Sequence, residues 1–338
     1  MYPRTTQSTQ MAALTASGML LLLMSDVFLL ADDMPTWPKK THVYKTVGDI
    51  KIEADFYRPV DQVIRPLVVW IHGGALIMGH RDSIPGNIRD LCQKEGFALA
   101  SIDYRLAPEV KLPAIIDDLR DAFCWIHAAA RQDLFIDADR IVVAGGSAGG
   151  YLTLMSGLVV EPRPTALVSY YGYGDVDGDW YKKNSEHYRT TVPLVAEAVA
   201  RASVGQQVIT GTDNKNPAHK GRGNYYLYLR QNGLWTEEVT GFDPATQKDK
   251  LDPYCPVRSI TASYPPTLLI HGTADTDVPY ELSVDMDHAL TAQRVPHELI
   301  TVKNGNHGLS RRNTNADPAE IDKAHERAAM FIRESLKK

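Results

Sequence analysis

Three short apolar runs, broken only by Ser101, constrain this chain more than any other feature: Leu67-Val68-Val69-Trp70-Ile71, the stretch 97–102, and Ile141-Val142-Val143-Ala144. None alternates with polar residues, so each must be covered on both faces, as strands are in parallel sheets sandwiched between helices. The intervening residues supply those helices. Ile116, Leu119, Phe123 and Ile126 recur three or four apart across 113–131, behind Pro113 in the opening turn, which reads as a helix with one buried stripe. The alternation resumes with strands at 166–171, 267–271 and 298–302 and helices at 148–160, 280–293 and 318–336. At the front, 43–47 and 50–57 flank Gly48-Asp49, and Ile52, Ala54 and Phe56 alternate with Lys51, Glu53 and Asp55, the pattern of a half-exposed hairpin. The expected class is α/β: a doubly wound, mostly parallel central sheet with an antiparallel N-terminal hairpin and helices on both faces.

The stretch from 172 to about 256 breaks this rhythm. It is rich in Gly, Asn, Lys and Tyr, offers one helical candidate at 193–204, and reads as a cap inserted into a domain spanning 40–338. No repeat of fixed period and no interdomain linker interrupts that span. Residues 11–30 are mostly apolar, with Arg4 ahead of them and Ala31 at the position of a cleavage site; 1–31 therefore reads as a signal peptide and the protein as secreted or periplasmic, with a membrane anchor, an amphipathic helix packed on the domain, or a cytoplasmic protein as competing readings. Asp26 would be costly inside a bilayer, so no stable membrane insertion is expected once the segment is removed. Of 338 residues, 36 are Lys or Arg and 41 Asp or Glu, a net charge of −5 without a long basic run. That lacks the footprint a nucleic-acid partner requires. Cys92, Cys124 and Cys255 are too few and too far apart for a disulfide scaffold or a zinc ribbon.

Chemistry concentrates at Gly145-Gly146-Ser147-Ala148-Gly149-Gly150, which follows the apolar run 141–144 and opens an apolar helix. That is the setting of a G-x-S-x-G nucleophile elbow, in which glycines let a tight strand-to-helix turn push the serine out over the sheet edge. A phosphate loop would need a Lys-Ser or Lys-Thr pair, and none follows. A serine hydroxyl needs a base, an orienting acid and donors for an oxyanion. His72-Gly73-Gly74-Ala75 ends the first central strand, and the N–H groups of Gly73 and Gly74, with that of Ala148 at the start of the next helix, are the candidate oxyanion donors. The run His271-Gly272-Thr273-Ala274-Asp275-Thr276-Asp277-Val278-Pro279 follows a later strand and offers Asp275 or Asp277 as the acid. Asp277 also suits a turn or helix cap ahead of Pro279. Asn304-Gly305-Asn306-His307-Gly308 follows the last strand, and His307 completes the order Ser, Asp, His. The other histidines read as structural, with His72 and His271 in turns.

From about residue 40 onward the chain resembles the α/β-hydrolase superfamily, in particular hormone-sensitive-lipase-like carboxylesterases and bifunctional feruloyl and acetylxylan esterases. The resemblance rests on the elbow, the His72-Gly73-Gly74 turn, the His271 to Pro279 stretch, and Asp103-Tyr104-Arg105-Leu106-Ala107-Pro108-Glu109 followed by Leu112-Pro113-Ala114 and Asp118. It implies a carboxylesterase with Ser147 as nucleophile, His307 as base and Asp275, rather than Asp277, as acid. It further implies that Arg105 and Glu109 organise loops beneath the site, and that no cofactor or metal is required. Ala75 and Gly146 stand where lipase-like members carry a glycine and an acidic residue.

The resemblance also implies a small-molecule or polysaccharide-linked ester as substrate, such as an acetyl or feruloyl ester. Tyr170, Tyr171, Tyr173, Tyr181, Tyr188, Tyr225, Tyr226 and Tyr228, with Trp180 and Trp235, lie in or beside the insertion and suit a sugar or phenolic ligand, or equally the packing of a small cap. Asp175, Asp177, Asp179 and Glu186 match acidic positions of a calcium loop, but Trp180 replaces the glycine such a loop needs, so a solvated acidic turn is expected. Two other functions fit the same fold: a peptidase, and a non-catalytic ligand-binding receptor.

Overall fold

An apolar strand is stable only where helices cover it from both sides, and the computed structural model, which describes residues 37–337 apart from 206, 213–218, 220 and 313, encloses each of the three runs in this way. The strands are β1 Lys39–Val47, β2 Ile50–Tyr57, β3 Arg65–Ile71, β4 Ala98–Ile102, β5 Ile136–Gly146, β6 Ala166–Tyr170, β7 Thr267–Gly272 and β8 His297–Val302. They form one sheet in the order β1-β2-β4-β3-β5-β6-β7-β8. The β1–β2 hairpin is antiparallel and β2 continues antiparallel onto β4, whereas every later pairing is parallel.

Side chains leave the sheet alternately. Leu67, Val69 and Ile71 of β3 and Ile141 and Val143 of β5 enter one core with the helices Leu112–Ala129 and Ala148–Val159. Val68, Trp70, Val142 and Ala144 enter the other, beneath Gly86–Glu95 and Pro318–Leu336. Each fully buried aliphatic side chain is worth roughly 1.5–3 kcal/mol, so a polar substitution on either face of β3 or β5 would break a core.

The order of strands determines where a ligand can sit. From β3 the chain moves outward to β4 and then returns past β3 to β5. At that reversal the loops leaving β3 and β5 diverge to opposite faces and open a crevice beyond the carboxyl ends of the strands. The His72 turn and the Ser147 turn are these two loops.

Between β6 and β7 the chain forms short helices, and the expected helix at 193–204 shrinks to Glu197–Arg201. The longer Arg222–Asn232 carries no clean apolar stripe because Arg222, Arg230 and Gln231 occupy its buried side beside Tyr225, Tyr226 and Leu229. In the acidic stretch Asp175 and Asp177 are ion-paired rather than solvated, while Asp179 stays exposed beside Lys183. Arg258 reaches Asp175 at 3.1 Å and Asp177 at 3.2 Å, and Lys182 reaches Asp177 at 3.0 Å. The signal-peptide reading of 1–31 lies outside the described residues. Among the described residues no helix is long and apolar enough to cross a membrane.

Candidate active site

Ser147 occupies the turn between β5 and the helix Ala148–Val159 with φ 57° and ψ −123°, a backbone region that costs an L-residue about 1–3 kcal/mol unless its surroundings enforce it. They do: its N–H donates to the Tyr170 carbonyl of the neighbouring strand at 2.9 Å, and Tyr151 N–H caps the turn on the Ser147 carbonyl at 3.0 Å. The helix also presses close to β3. A Cβ on Gly149 would overlap the Ile71 carbonyl oxygen and lie 2.7 Å from that of His72, so a side chain there would push the serine's helix away from the His72 turn.

The loops that carry Asp275 and His307 are joined to each other. Thr273 N–H donates to the Val302 carbonyl at 3.0 Å, Ala274 N–H to that of Gly305 at 2.9 Å, and Asn304 N–H to Thr273 Oγ1 at 2.8 Å. A Cβ on Gly272 would lie 2.8 Å from Gly305 Cα. These contacts bring two residues thirty-two positions apart within reach: His307 Nδ1 lies 2.7 Å from Asp275 Oδ2, and His307 Nε2 lies 3.1 Å from Ser147 Oγ. Ser147, His307 and Asp275 thus form one hydrogen-bonded chain across loops that follow β5, β8 and β7.

Asp275 has a fully buried side chain. Burial by itself would raise its pKa, but hydrogen bonds from His271 and His307 outweigh it and hold the carboxyl well below the usual range. Its second oxygen accepts the N–H groups of Asp277 and Val278, each at 2.9 Å. For His307 the balance also favours charge. Burial would lower its pKa, but the hydrogen bond to Asp275 and the nearby carboxylates of Asp277 and Asp275 raise it. With Nδ1–H donating to Asp275, Nε2 of the neutral ring is free to accept from Ser147.

The three oxyanion candidates stand in the turn after β3 and at the start of the helix after β5. Gly73 packs on the elbow: a Cβ there would meet the Gly146 carbonyl oxygen at 2.7 Å and Ser147 Cβ at 3.2 Å. Gly74 has φ 108°, Ala75 and Leu76 follow at 56° and 62°, and Ile77 and Met78 donate to the Gly74 carbonyl, each at 2.9 Å. Ala148 is the first residue of its helix, so its N–H has no intrahelical acceptor. His72 stands in the turn after β3 and is buried. Its Nδ1–H donates to the Gly73 carbonyl at 2.8 Å and Tyr104 OH donates to its own carbonyl at 2.9 Å, while burial lowers its pKa to about 4 and keeps the ring neutral. It holds the turn in place.

Other residues around the centre take places that the sequence reading did not give them. His271 belongs to β7, not to a turn. Its Nδ1 accepts from Ser283 Oγ at 2.7 Å, and its Nε2–H points at Asp275 at 3.1 Å and at the Val278 carbonyl at 3.0 Å. Its position four residues before Asp275 was the available signal. Asp277 does not cap a helix; it accepts from Tyr226 OH and from Arg230 Nη1 at 2.8 Å, and its other oxygen lies 3.5 Å from His307 Nε2. Tyr171 packs edge-on against the His307 ring at 5.0 Å. Of the aromatic set, Tyr173, Tyr181, Tyr225 and Trp235 are fully buried and serve packing. Tyr181 lies between Trp180 and Trp235, ring centroids 3.4 Å and 3.6 Å away. Arg105 and Glu109 join different partners, Arg105 to Asp118 at 2.7 Å and Glu109 to Arg222 at 2.8 Å. Among the described residues no group of His, Cys, Asp and Glu could hold a metal ion.

A family model described as BD-FAE matches residues 54–290. A non-reducing polyketide synthase of Preussia isomera is 31% identical over 269 residues, which is 71% of this chain and 12% of that protein, so this chain spans a small part of the curated relative it matches. Among solved structures, carboxyl esterase 2 of Tuber melanosporum superposes with a TM-score of 0.61 at 20% identity, covering 89% of this chain and 88% of that one. An acetyl ester-xyloside bifunctional hydrolase of Caldicellulosiruptor lactoaceticus superposes with a TM-score of 0.62 at 18% identity, covering 87% and 96%. At such identities these two likenesses speak for the fold.

Proposed function

This chain belongs to the BD-FAE family and has the α/β-hydrolase fold, and from that premise we propose that it is a serine hydrolase that cleaves carboxylic esters through an acyl-enzyme on Ser147. The observation that carries the proposal is the continuous hydrogen-bonded chain from Ser147 Oγ through His307 to Asp275. A serine without a base would be inert, and a histidine without Asp275 would have no fixed tautomer.

In this reading Ser147 Oγ attacks the ester carbonyl while its proton passes to His307 Nε2 and the carbonyl electron pair moves onto oxygen. The N–H groups of Gly73, Gly74 and Ala148 receive that oxyanion, each worth roughly 3 kcal/mol of transition-state stabilisation. Collapse breaks the bond to the alcohol, which takes the proton from Nε2. Water then repeats the sequence and frees the acid.

The substrate reading is an acetyl or feruloyl ester on a small molecule or plant polysaccharide, supported by the family assignment. A second reading has its own support in the likeness to polyketide synthases: acyl-enzyme chemistry serves a thioester as well as an oxygen ester, so a polyketide acyl group is the alternative. We further propose that the helices between β6 and β7 act as a cap shaping the alcohol or acyl pocket.

Labelling of the folded protein by a fluorophosphonate probe tests the mechanism: the wild type should label and Ser147→Ala should not. Absence of wild-type labelling would favour a non-catalytic receptor. Rates on matched ester and amide substrates separate esterase from peptidase, and a panel of acetyl, feruloyl and aromatic polyketide thioester substrates ranks the acyl groups.

A further inference from the structure

A histidine base commonly meets one carboxylate at the nitrogen that stays protonated, and its other nitrogen, which shuttles the proton, faces the nucleophile and substrate. Here both nitrogens face carboxylates. Nδ1 of His307 lies 2.7 Å from Asp275 Oδ2, and Nε2 lies 3.5 Å from Asp277 Oδ2 as well as 3.1 Å from Ser147 Oγ. Asp277 is held by a helix far away in sequence. Tyr226 OH and Arg230 Nη1 both reach its Oδ1, and Arg230 Nη1 also donates to its carbonyl at 3.1 Å. Arg230 is only 3% exposed and sits among the rings of Trp180, Tyr181, Tyr188 and Tyr226, 5.1–5.7 Å from their centroids.

We propose that Asp277 is a positioning residue for His307, a second carboxylate whose outward oxygen accepts the Nε2 proton whenever the ring is charged, with Arg230 and Tyr226 fixing its place. This rests on His307 being the base. While the ring is neutral Nε2 presents a lone pair, and no hydrogen bond to Asp277 exists. Once the serine proton arrives, the new N–H can divide between the substrate oxygen and Asp277, so the imidazolium is stabilised at both nitrogens. Asp277 undergoes no net protonation. The same contact stabilises the charged ring before substrate binds, consistent with the upward shift of His307. Asp277 therefore increases base strength and in return narrows the range of acidic pH at which the base is free.

The groups facing His307 are Asp275 and Asp277 from the loop after β7, Ser147 from the elbow, Tyr171 from the loop after β6, and the charge of Arg230 from the intervening helix. Arg230 opposes the two acids, so one-sided removal of Asp277 changes the sum at Nε2 sharply. Tyr188 and Tyr226 also face Asp277.

The test compares wild type, Asp277→Asn and Tyr226→Phe in two ways: kcat/KM for p-nitrophenyl acetate across pH, and the NMR titration of the His307 ring, which needs no turnover. In Asp277→Asn the His307 pKa should fall by about one pH unit, the acid limb of kcat/KM should move with it, and the plateau should drop roughly three- to tenfold as the base weakens. Tyr226→Phe leaves the Asp277 charge less dispersed and should move the titration the other way, by less. A His307 pKa that stays put or rises in Asp277→Asn overturns the proposal, as does a lowered plateau with an unmoved acid limb. If Asp277→Asn does not fold, Tyr226→Phe decides, and an unshifted titration there counts against it. A wild type that titrates as described but hydrolyses no ester would refute the proposed activity and leave this coupling standing.

Discussion

Replacing Asp275 by Asn changes one oxygen to an amide nitrogen, and the surroundings dictate which one. Oδ1 accepts two backbone N–H groups, from Asp277 and Val278, both at 2.9 Å. An NH2 placed there would oppose two fixed donors and leave each buried and unpaired, at about 1–3 kcal/mol apiece. At the Oδ2 position the NH2 meets two histidines instead. His271 keeps an acceptor, the Val278 carbonyl at 3.0 Å, and His307 can turn its Nδ1 into an acceptor by moving its proton to Nε2. The amide therefore settles with nitrogen toward His307, and the base loses the lone pair that Ser147 requires. The barrier should rise by about 5.5 kcal/mol, a loss of roughly 10⁴ in kcat with the fold intact. The assay is kcat and KM on p-nitrophenyl acetate, with far-UV circular dichroism and melting on the same sample. A folded Asp275→Asn enzyme within tenfold of wild type would refute the tautomer reasoning. A much larger loss in Asp277→Asn than in Asp275→Asn would move the orienting role to Asp277.

Gly149→Ala drives a methyl into the Ile71 carbonyl and should destabilise by 1–3 kcal/mol or more while lowering kcat, both read by urea denaturation and kinetics; wild-type stability would show that the helix can retreat. Trp235→Ala empties a fully buried site stacked on Tyr181 and should cost about 3–5 kcal/mol in the same denaturation experiment. Because His307 is held protonated above its ordinary value of 6.5, and only the neutral ring accepts the serine proton, kcat/KM should be half-maximal above pH 6.5; a midpoint below it would contradict the double-carboxylate environment. Asp275 runs the other way. Its depressed pKa adds stability at pH values above the unfolded carboxylate range near about 3.9, and that stability should fade as pH drops through the folded pKa, visible as a smaller acid dependence of melting temperature in Asp275→Asn.

The parallel sheet was readable because β3, β4 and β5 are buried on both faces, and such strands leave a nearly unbroken apolar signature. The Ser147 elbow was readable for a related reason: glycines at 145 and 149 are demanded by backbone contacts within a few residues and across one neighbouring strand, and the glycine at 146 by the Tyr171 ring. Pairing His307 with Asp275 was harder. Nothing between residues 275 and 307 records that their loops hydrogen-bond, and both Asp275 and Asp277 fit the local pattern equally. In the structure Asp275 meets His307 Nδ1 at 2.7 Å, while Asp277 pairs with Arg230 and lies 3.5 Å from Nε2. The helix Arg222–Asn232 escaped notice because arginines and a glutamine share its buried side with Tyr225, Tyr226 and Leu229, and apolar periodicity carries no trace of a buried arginine.

Those buried arginines connect the intervening segment to the chemistry. Arg222, 2% exposed, donates from Nε to the Ile77 carbonyl at 2.6 Å and pairs with Glu109 at 2.8 Å, so it grips the chain just beyond the Gly74 turn. Trp235 Nε1 donates to the Ala75 carbonyl of the same turn at 3.2 Å. Arg230, one helical face along, grips Asp277 on the acid side. One stretch of chain thus touches the loop of Gly73 and Gly74 and the loop of Asp275 and Asp277, the two that the proposed mechanism uses. A buried charge deprived of its partner is strongly destabilising, so removing either arginine leaves Glu109 or Asp277 uncompensated beside a loop that must hold its place to within a fraction of an ångström. Substitutions in this segment should therefore alter kcat as well as substrate preference, whereas a segment that served only as a binding lid would alter KM alone.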